Sequence, residues 1–318
     1  MFTINKKVLA AASSLAVIAV TATSFTPAQA APKNQARAVV QADWLEKNLN
    51  DPKVVIVEVS TEPGIYERGH IQNAVKISWH TDLVDTVNRD VVSSTKFQKF
   101  AQAAGISQDS TVVLYGDKNN WFAAWGAWVF NLYGAKDVRI LDGGRVKWEK
   151  DGRALTTAVT TKPKGNFTST RLDKSLRATL LQDVLPAAKK RVKVDLIDIR
   201  SADEYSGKIF APAGFQELAV RAGHIPGAIN VPWGLNVNAD GTFKTVADLK
   251  KLYADKGVDG KQPIITYCRI GERSSLTWFV LSEILGYDVK NYDGSWTEYG
   301  NSVGVPIENP SGTVWGAN

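Results

Sequence analysis

The sequence predicts an α/β protein of two tandem domains, each a parallel sheet flanked by helices. Three observations carry that prediction. The chain has 318 residues, room for about two domains that each bury a core of their own. Short apolar runs alternate with helix-length segments at 93–104, 121–133, 246–256 and 274–285, the pattern of a parallel sheet covered on both faces. One pattern also occurs twice. Val54-Val55-Ile56-Val57-Glu58-Val59 answers to Val194-Asp195-Leu196-Ile197-Asp198-Ile199, and Arg68-Gly69-His70-Ile71 to Ala222-Gly223-His224-Ile225. Thr111-Val112-Val113-Leu114-Tyr115 answers to Pro263-Ile264-Ile265-Thr266-Tyr267, and Leu141-Asp142-Gly143-Gly144 to Tyr292-Asp293-Gly294-Ser295. The last three pairs keep offsets of 154, 152 and 151 residues, too steady for chance.

Taken in order, residues 1–30 read as a secretory signal peptide: Lys6-Lys7, an apolar run over 8–20, then Ala28-Gln29-Ala30 before Ala31. A run of thirteen residues, eleven of them apolar, falls short of the ~20 that span a bilayer, so cleavage after Ala30 is expected and not an anchor. The mature chain is then periplasmic or secreted, with no membrane attachment. Residues 31–157 form the first domain. Residues 158–178 mix Thr, Lys, Pro163 and Gly165 without periodicity and read as a linker. Residues 179–318 form the second domain.

Composition narrows the function. Hydrophobic residues at 44% and charged residues at 22% exclude extended disorder and a multi-span membrane protein. The formal charge of +6 includes Lys6 and Lys7 of the leader. No basic block or basic helix follows, so no nucleic-acid partner is expected, and small anionic substrates suit the balance equally. A single cysteine closes no intramolecular disulfide and builds no Cys-based zinc site. Cys268 is therefore either an inert packed residue or a reagent.

Its surroundings favour the reagent. Cys268 follows the run Ile264-Ile265-Thr266-Tyr267 and precedes a segment whose Leu276, Phe279, Val280 and Ile284 have helical spacing. Arg269-Ile270-Gly271-Glu272-Arg273 then forms a strand-to-helix loop at the carboxyl end of a strand, where ligand sites collect in α/β sheets. Inward amides, the helix N-terminus behind them and two arginines are expected to favour the thiolate and to receive an anion. Buried inert cysteines seldom have two arginines for neighbours.

The segment Tyr267-Cys268-Arg269-Ile270-Gly271-Glu272-Arg273-Ser274 resembles the active-site loop of rhodaneses, the thiosulfate sulfurtransferases. Gly223-His224-Ile225-Pro226-Gly227-Ala228-Ile229-Asn230-Val231-Pro232 resembles that family's N-terminal signature, and Tyr292-Asp293-Gly294-Ser295-Trp296-Thr297-Glu298-Tyr299 its C-terminal one. The tandem layout resembles the two-domain members over nearly all of residues 38–318. The resemblance implies two rhodanese-like domains, with the first catalytically silent because Gly116-Asp117 stands where the cysteine would be. It implies Cys268 as the catalytic nucleophile, with Arg200, Arg269, Ile270, Gly271, Glu272, Arg273 and Ser274 binding substrate and Trp296 as a possible pocket wall. Arg200 is expected to reach the pocket from the neighbouring strand end, and Glu272 to point outward or to balance Arg273. Two departures flank the histidine loops: His70 is followed by Ile71-Gln72-Asn73 where Pro-Gly is frequent, and Val220 stands where an aromatic is usual. The second copy also carries about fourteen extra residues, 207–220, placed to wall the site's mouth.

The implied reaction is sulfur transfer: the Cys268 thiolate takes the outer sulfur of thiosulfate, sulfite leaves, and the persulfide passes its sulfur to cyanide or a thiol. A small anionic donor and such an acceptor are the expected partners, and no metal or organic cofactor is required. Mercaptopyruvate users resemble this loop less, since they tend to carry Gly-Ser-Gly-Val after the cysteine. A non-turnover persulfide carrier needs the same thiol. Cys-dependent phosphatases of this fold place five residues between cysteine and arginine, whereas Cys268 and Arg273 enclose four. No HExxH or GxGxxG is present. His70 and His224, at equivalent repeat positions, are expected to tie loop to sheet, and Asp142 and Asp293 to brace turns. Trp121, Trp125 and Trp128, on one helix face, are expected in the core or between domains.

Overall fold

The computed structural model describes residues 35–216 and 218–316. The leader over 1–30 lies outside the described residues. From residue 35 the chain forms one compact unit, and among the described residues no helix is long and apolar enough to cross a membrane.

Eleven strands are described: β1 Val39–Val40, β2 Val54–Glu58, β3 Val75–Lys76, β4 Val84–Asp85, β5 Asp90–Val91, β6 Thr111–Tyr115, β7 Asp137–Leu141, β8 Asp195–Asp198, β9 Ile229–Asn230, β10 Ile264–Tyr267 and β11 Val289–Asn291. The first half makes a parallel sheet in the order β1-β7-β6-β2-β3, the second in the order β11-β10-β8-β9, and β4 and β5 pair as a short antiparallel ribbon. The order β7-β6-β2-β3 matches β11-β10-β8-β9 strand for strand, as the repeat predicts. β2 is buried at every residue and β10 likewise, because helices cover both faces. The expected helices form at Ser94–Ala103, Trp121–Leu132, Val246–Ala254 and Glu272–Phe279, the last running on through a π-helical turn over Val280–Ile284.

The repeat extends to buried polar atoms. Glu58 pairs in register with Tyr115, and Asp198 with Tyr267. The hydroxyl of Tyr115 accepts from the Ile71 amide at 3.0 Å and that of Tyr267 from the Ile225 amide at 3.2 Å. Each buried carboxylate meets an arginine that also binds the carbonyl before the histidine: Arg145 bonds Glu58 and the Gly69 carbonyl, and Arg200 bonds Asp198 and the Gly223 carbonyl. The two arginines come from different places in the repeat, one from the helix Gly144–Lys150 and one from two residues past β8.

His70 and His224 are buried and structural, but they tie their loops to neighbouring helices and not to the sheet. His70 stacks on Tyr66 at 3.8 Å and His224 on Tyr205 at 3.7 Å, each with Nδ1 at the carbonyl of its stacking partner. Asn73, with φ of 64°, takes the left-handed turn that Gly227 takes in the second copy. Asparagine tolerates that region, so the missing Pro-Gly leaves the turn intact. Asp293 receives both arms of Arg177 at 2.8 Å. Asp142 accepts the Phe243 amide at 2.9 Å and so joins the halves.

The segment read as a linker is laced to the first half. Gly165 and Phe167 donate backbone bonds to Gln102 and Ile106, and Thr170 and Asp173 to Tyr133 and Leu132. Phe167 is buried, and a Cβ on Gly165 would stand 1.9 Å from the Ile106 carbonyl oxygen. Its polar composition reflects backbone pairing at a surface, not a free tether.

Candidate active site

Cys268 lies directly after β10, and the turn to the helix Glu272–Phe279 is made at Gly271, whose φ is +103°. The helix begins at Glu272, two residues earlier than its apolar spacing suggests, so Glu272 and Arg273 belong to its first turn and not to a loop. This places the Gly271 N–H 3.0 Å from Cys268 Sγ. The Cys268 amide donates to Ser295 Oγ at 3.1 Å, and Ser295 holds a left-handed backbone with φ of 50°. Ser274 Oγ bonds the Gly271 carbonyl and Asn291, fixing the turn from behind.

The thiol is fully buried and donates to Glu272 Oε2 at 3.7 Å. Glu272 is itself buried, and so does not point outward. Its Oε1 lies 3.9 Å from Arg273 Nε. Arg273 pairs with Glu204 at 3.2 Å. Burial pushes the Cys268 thiol above its ordinary value and Glu272 pushes it further, while Arg273 and the amides of Ser274 and Gly271 oppose them. The expectation that the cradle favours the thiolate is thus corrected: desolvation of a buried anion and a neighbouring carboxylate outweigh one arginine and two amides. Burial also pushes the Glu272 carboxyl up, against Arg273. Two buried acids in contact share a proton more readily than both ionise.

A cavity of about 380 Å³ opens beside this turn, lined by Arg269, Glu272, Arg273, Ser201 and Glu204 and by the apolar Trp121, Pro212, Phe215, Pro232 and Trp233. Glu272 both lines it and touches Sγ, so it links cavity and thiol. Arg269 stacks its guanidinium 5.2 Å from the Phe215 ring and donates to the Gln216 carbonyl, so the 207–220 insertion walls the mouth as its position suggests. A separate, mostly polar hollow of about 420 Å³ is lined by Gln72, Asn73, Thr156 and residues 158–162 and contains no thiol.

The structure therefore gathers Cys268, Arg269, Gly271, Glu272, Arg273 and Ser274. It keeps three other expected residues away. Arg200 does not reach the cavity: it is almost fully buried, bound to Asp198 at 3.0 Å and to the Gly223 carbonyl at 2.8 Å, with its guanidinium 4.6 Å from the Trp296 ring. A buried guanidinium with a carboxylate two residues away has no freedom to turn outward. Trp296 is packed, its indole donating to the Arg221 carbonyl at 3.0 Å, and it does not line this cavity. Ile270 packs on the core by its side chain, and its carbonyl accepts from Arg89 of the first half at 2.9 Å.

Trp121 and Trp233 were not singled out for the site, yet they line it with their rings 4.7 Å apart in a T. Each comes from the opposite half, and no local pattern announces that they meet. In the first half Gly116 takes the place of Cys268, and a Cβ there would stand 2.3 Å from the Val59 carbonyl oxygen. The place has no room for a side chain, let alone a thiol.

A tandem α/β protein with one cysteine presented on an amide-lined turn at a strand end is a recognisable class, and comparison with known proteins agrees. The rhodanese-like domain family matches residues 41–151 and 181–302. A protein of Mycolicibacterium smegmatis named "Putative thiosulfate sulfurtransferase" is 53% identical over 272 residues, 85% of this chain and 97% of that one. The "Sulfur carrier protein TtuD" of Thermus thermophilus is 50% identical over 274 residues, 85% of this chain and 95% of its own. The crystal structure of SseA from Escherichia coli, described among the 3-mercaptopyruvate sulfotransferases, superposes with a TM-score of 0.68 at 28% identity, covering 81% of this chain and 98% of that one. The chain belongs to the rhodanese family and is a sulfurtransferase.

Proposed function

We propose that the protein moves the sulfane sulfur of thiosulfate through a persulfide on Cys268 to cyanide or a thiol acceptor, as an exported enzyme. The observation that carries this reading is the Gly271 amide at 3.0 Å from Sγ, at the head of a helix and beside two arginines. Amide donors aimed at a sulfur stabilise the negative charge of a persulfide as an oxyanion hole does that of an oxygen. Arg269 and Arg273 supply attraction for the dianionic donor. The four-residue spacing from Cys268 to Arg273 favours one extra sulfur atom over a tetrahedral phosphate.

Intact mass after incubation with thiosulfate tests the reading: one sulfur is gained, and Cys268→Ser abolishes both that gain and thiocyanate formation. Substantial turnover by the serine variant would falsify the assignment. A second reading, a persulfide carrier that hands sulfur to a protein without multiple turnover, is favoured by the name of the Thermus thermophilus relative. Steady-state thiocyanate production separates the two. Export predicts that protein recovered from the cell envelope or medium begins at Ala31.

A further inference from the structure

With thiosulfate and cyanide the net reaction, S₂O₃²⁻ + CN⁻ → SO₃²⁻ + SCN⁻, takes up and releases no proton. The buried Cys268 thiol, however, must lose a proton before its sulfur attacks, and the thiolate left by the acceptor step takes one up again whenever the protein returns to rest. A site closed around Sγ needs a group that holds the proton in between. His70 and His224 are committed to their own turns. The carboxyl of Glu272, buried with an oxygen 3.7 Å from Sγ and a face on the cavity, is in place.

We propose that Glu272 is the proton acceptor and donor for Cys268, an assignment that rests on the persulfide reading above. In the first half-reaction Cys268–SH, Glu272–COO⁻ and S₂O₃²⁻ give Cys268–S–S⁻, Glu272–COOH and SO₃²⁻. The Sγ–S bond forms, the S–S bond of thiosulfate breaks with its electron pair leaving on sulfite, and the thiol proton moves to Glu272. The protonated carboxyl then faces the persulfide anion without adding a second negative charge. In the second half-reaction cyanide takes the outer sulfur as SCN⁻, leaving Cys268–S⁻, and Glu272 returns the proton. Charge and atoms balance in both halves.

The groups that face Glu272 are consistent with this cycle. Arg273 on its own helix lies 3.9 Å from Oε1 and also holds Glu204 of the helix Ala202–Ser206. Arg269 stands in the preceding turn, and Arg89 from the first half reaches the Ile270 carbonyl. Arg273 is shared between two carboxylates, so it does not hold Glu272 ionised against burial, and burial raises both Glu272 and Cys268. With an oxygen of Glu272 3.7 Å from Sγ, one proton can sit on either atom of the pair.

Glu272→Gln keeps the shape and removes proton acceptance. Persulfide formation by thiosulfate, read by rapid quench and intact mass from about pH 5 to 9, is expected to be flat through neutrality in the natural protein, because the proton stays within the pair. The glutamine variant is expected to be roughly 10²-fold slower at pH 6 and to gain about tenfold per pH unit. Glu272→Asp, with its carboxyl drawn back by one methylene, should be slower than glutamate yet keep the flat profile. A glutamine variant that matches the natural rate at pH 6 overturns the assignment, since Glu272 then merely repels anions. If that variant does not fold, an aspartate profile that climbs with pH overturns it equally. Failure of the natural protein to form any persulfide sinks the sulfurtransfer reading itself, and is thereby distinct from failure of the Glu272 role.

Discussion

Trp125 of the first half packs against Gly271 of the second, so that a Cβ on Gly271 would stand 2.6 Å from Trp125 Cζ3. The half without a thiol thus shapes the turn that carries the thiol's amide donor. Arg89, from the ribbon of the first half, adds a bond to the next carbonyl in that turn. The fully buried Trp125 and Trp128 lie where helix-face spacing predicts, in the core between the halves.

Gly271→Ala should be costly for two reasons that act together. Its φ of +103° disfavours any L side chain, and the backbone of Asp293 stands 2.8 Å from the added Cβ and cannot swing aside. A left-handed residue alone costs roughly 1–2 kcal/mol, and overpacking about 1–3 more. Thermal melts should drop by several degrees, and persulfide formation should fall beyond what lost folded protein explains. A variant with natural stability and rate would show that the turn is laxer than its contacts imply.

Arg269 lines the cavity and stacks on Phe215, so it is the residue expected to set preference between donors. Loss of a charge-assisted contact forfeits ~1.5–3 kcal/mol, or about one to two orders of magnitude in kcat/KM. Arg269→Gly should lose that much with thiosulfate and less with 3-mercaptopyruvate, measured side by side. Aryl phosphates should release negligible phosphate from either protein. A natural enzyme that prefers mercaptopyruvate would reverse the thiosulfate assignment.

Arg200 is placed to hold the fold. Arg200→Ala leaves Asp198 buried without its counter-charge, which typically costs about 3–5 kcal/mol. Chemical denaturation should reveal that loss, while KM for thiosulfate in the protein that remains folded should change little. A stable variant with a greatly raised KM would return Arg200 to the substrate.

The thiol should titrate late. Burial and Glu272 raise it above the ordinary cysteine range, so iodoacetamide alkylation is expected to be slow at neutral pH and to climb with pH past that range. The raised value also means that the fold binds this proton more tightly than the unfolded chain does. The associated stability is full below the unfolded thiol value and is lost as pH rises through the folded one. Glu272→Gln should move the alkylation inflection down, because a like charge is removed, while leaving it above neutrality. Rapid alkylation of the natural protein at pH 6 would contradict this environment.

The sheets, the turn after β10 and the identity of the thiol were all legible in the chain. Each rests on local physics: apolar runs of strand length, a glycine where φ must be positive, and a pattern stated twice. The helix start at Glu272 was not legible, because apolar spacing marks where a helix meets the core and not where its hydrogen bonds begin. Arg200 misled for a related reason. Its place after a strand points toward the ligand edge of the sheet, but the side chain turns back to Asp198 two residues away, filling the role that the sequence-distant Arg145 fills for Glu58 in the first half.

By itself the sequence determined the two parallel sheets, the lack of a thiol in the copy that has Gly116, and Cys268 as the candidate nucleophile, since these follow from neighbours along the chain. Only the tertiary structure decided that Glu272 faces the sulfur, that the thiol is raised and not lowered, and that Trp121 and Trp233 meet across the cavity. The physical reason is that a charge's energy depends on the solvent it has lost and the charges brought near it. Both are set by residues far apart in sequence and known only once the two halves have packed.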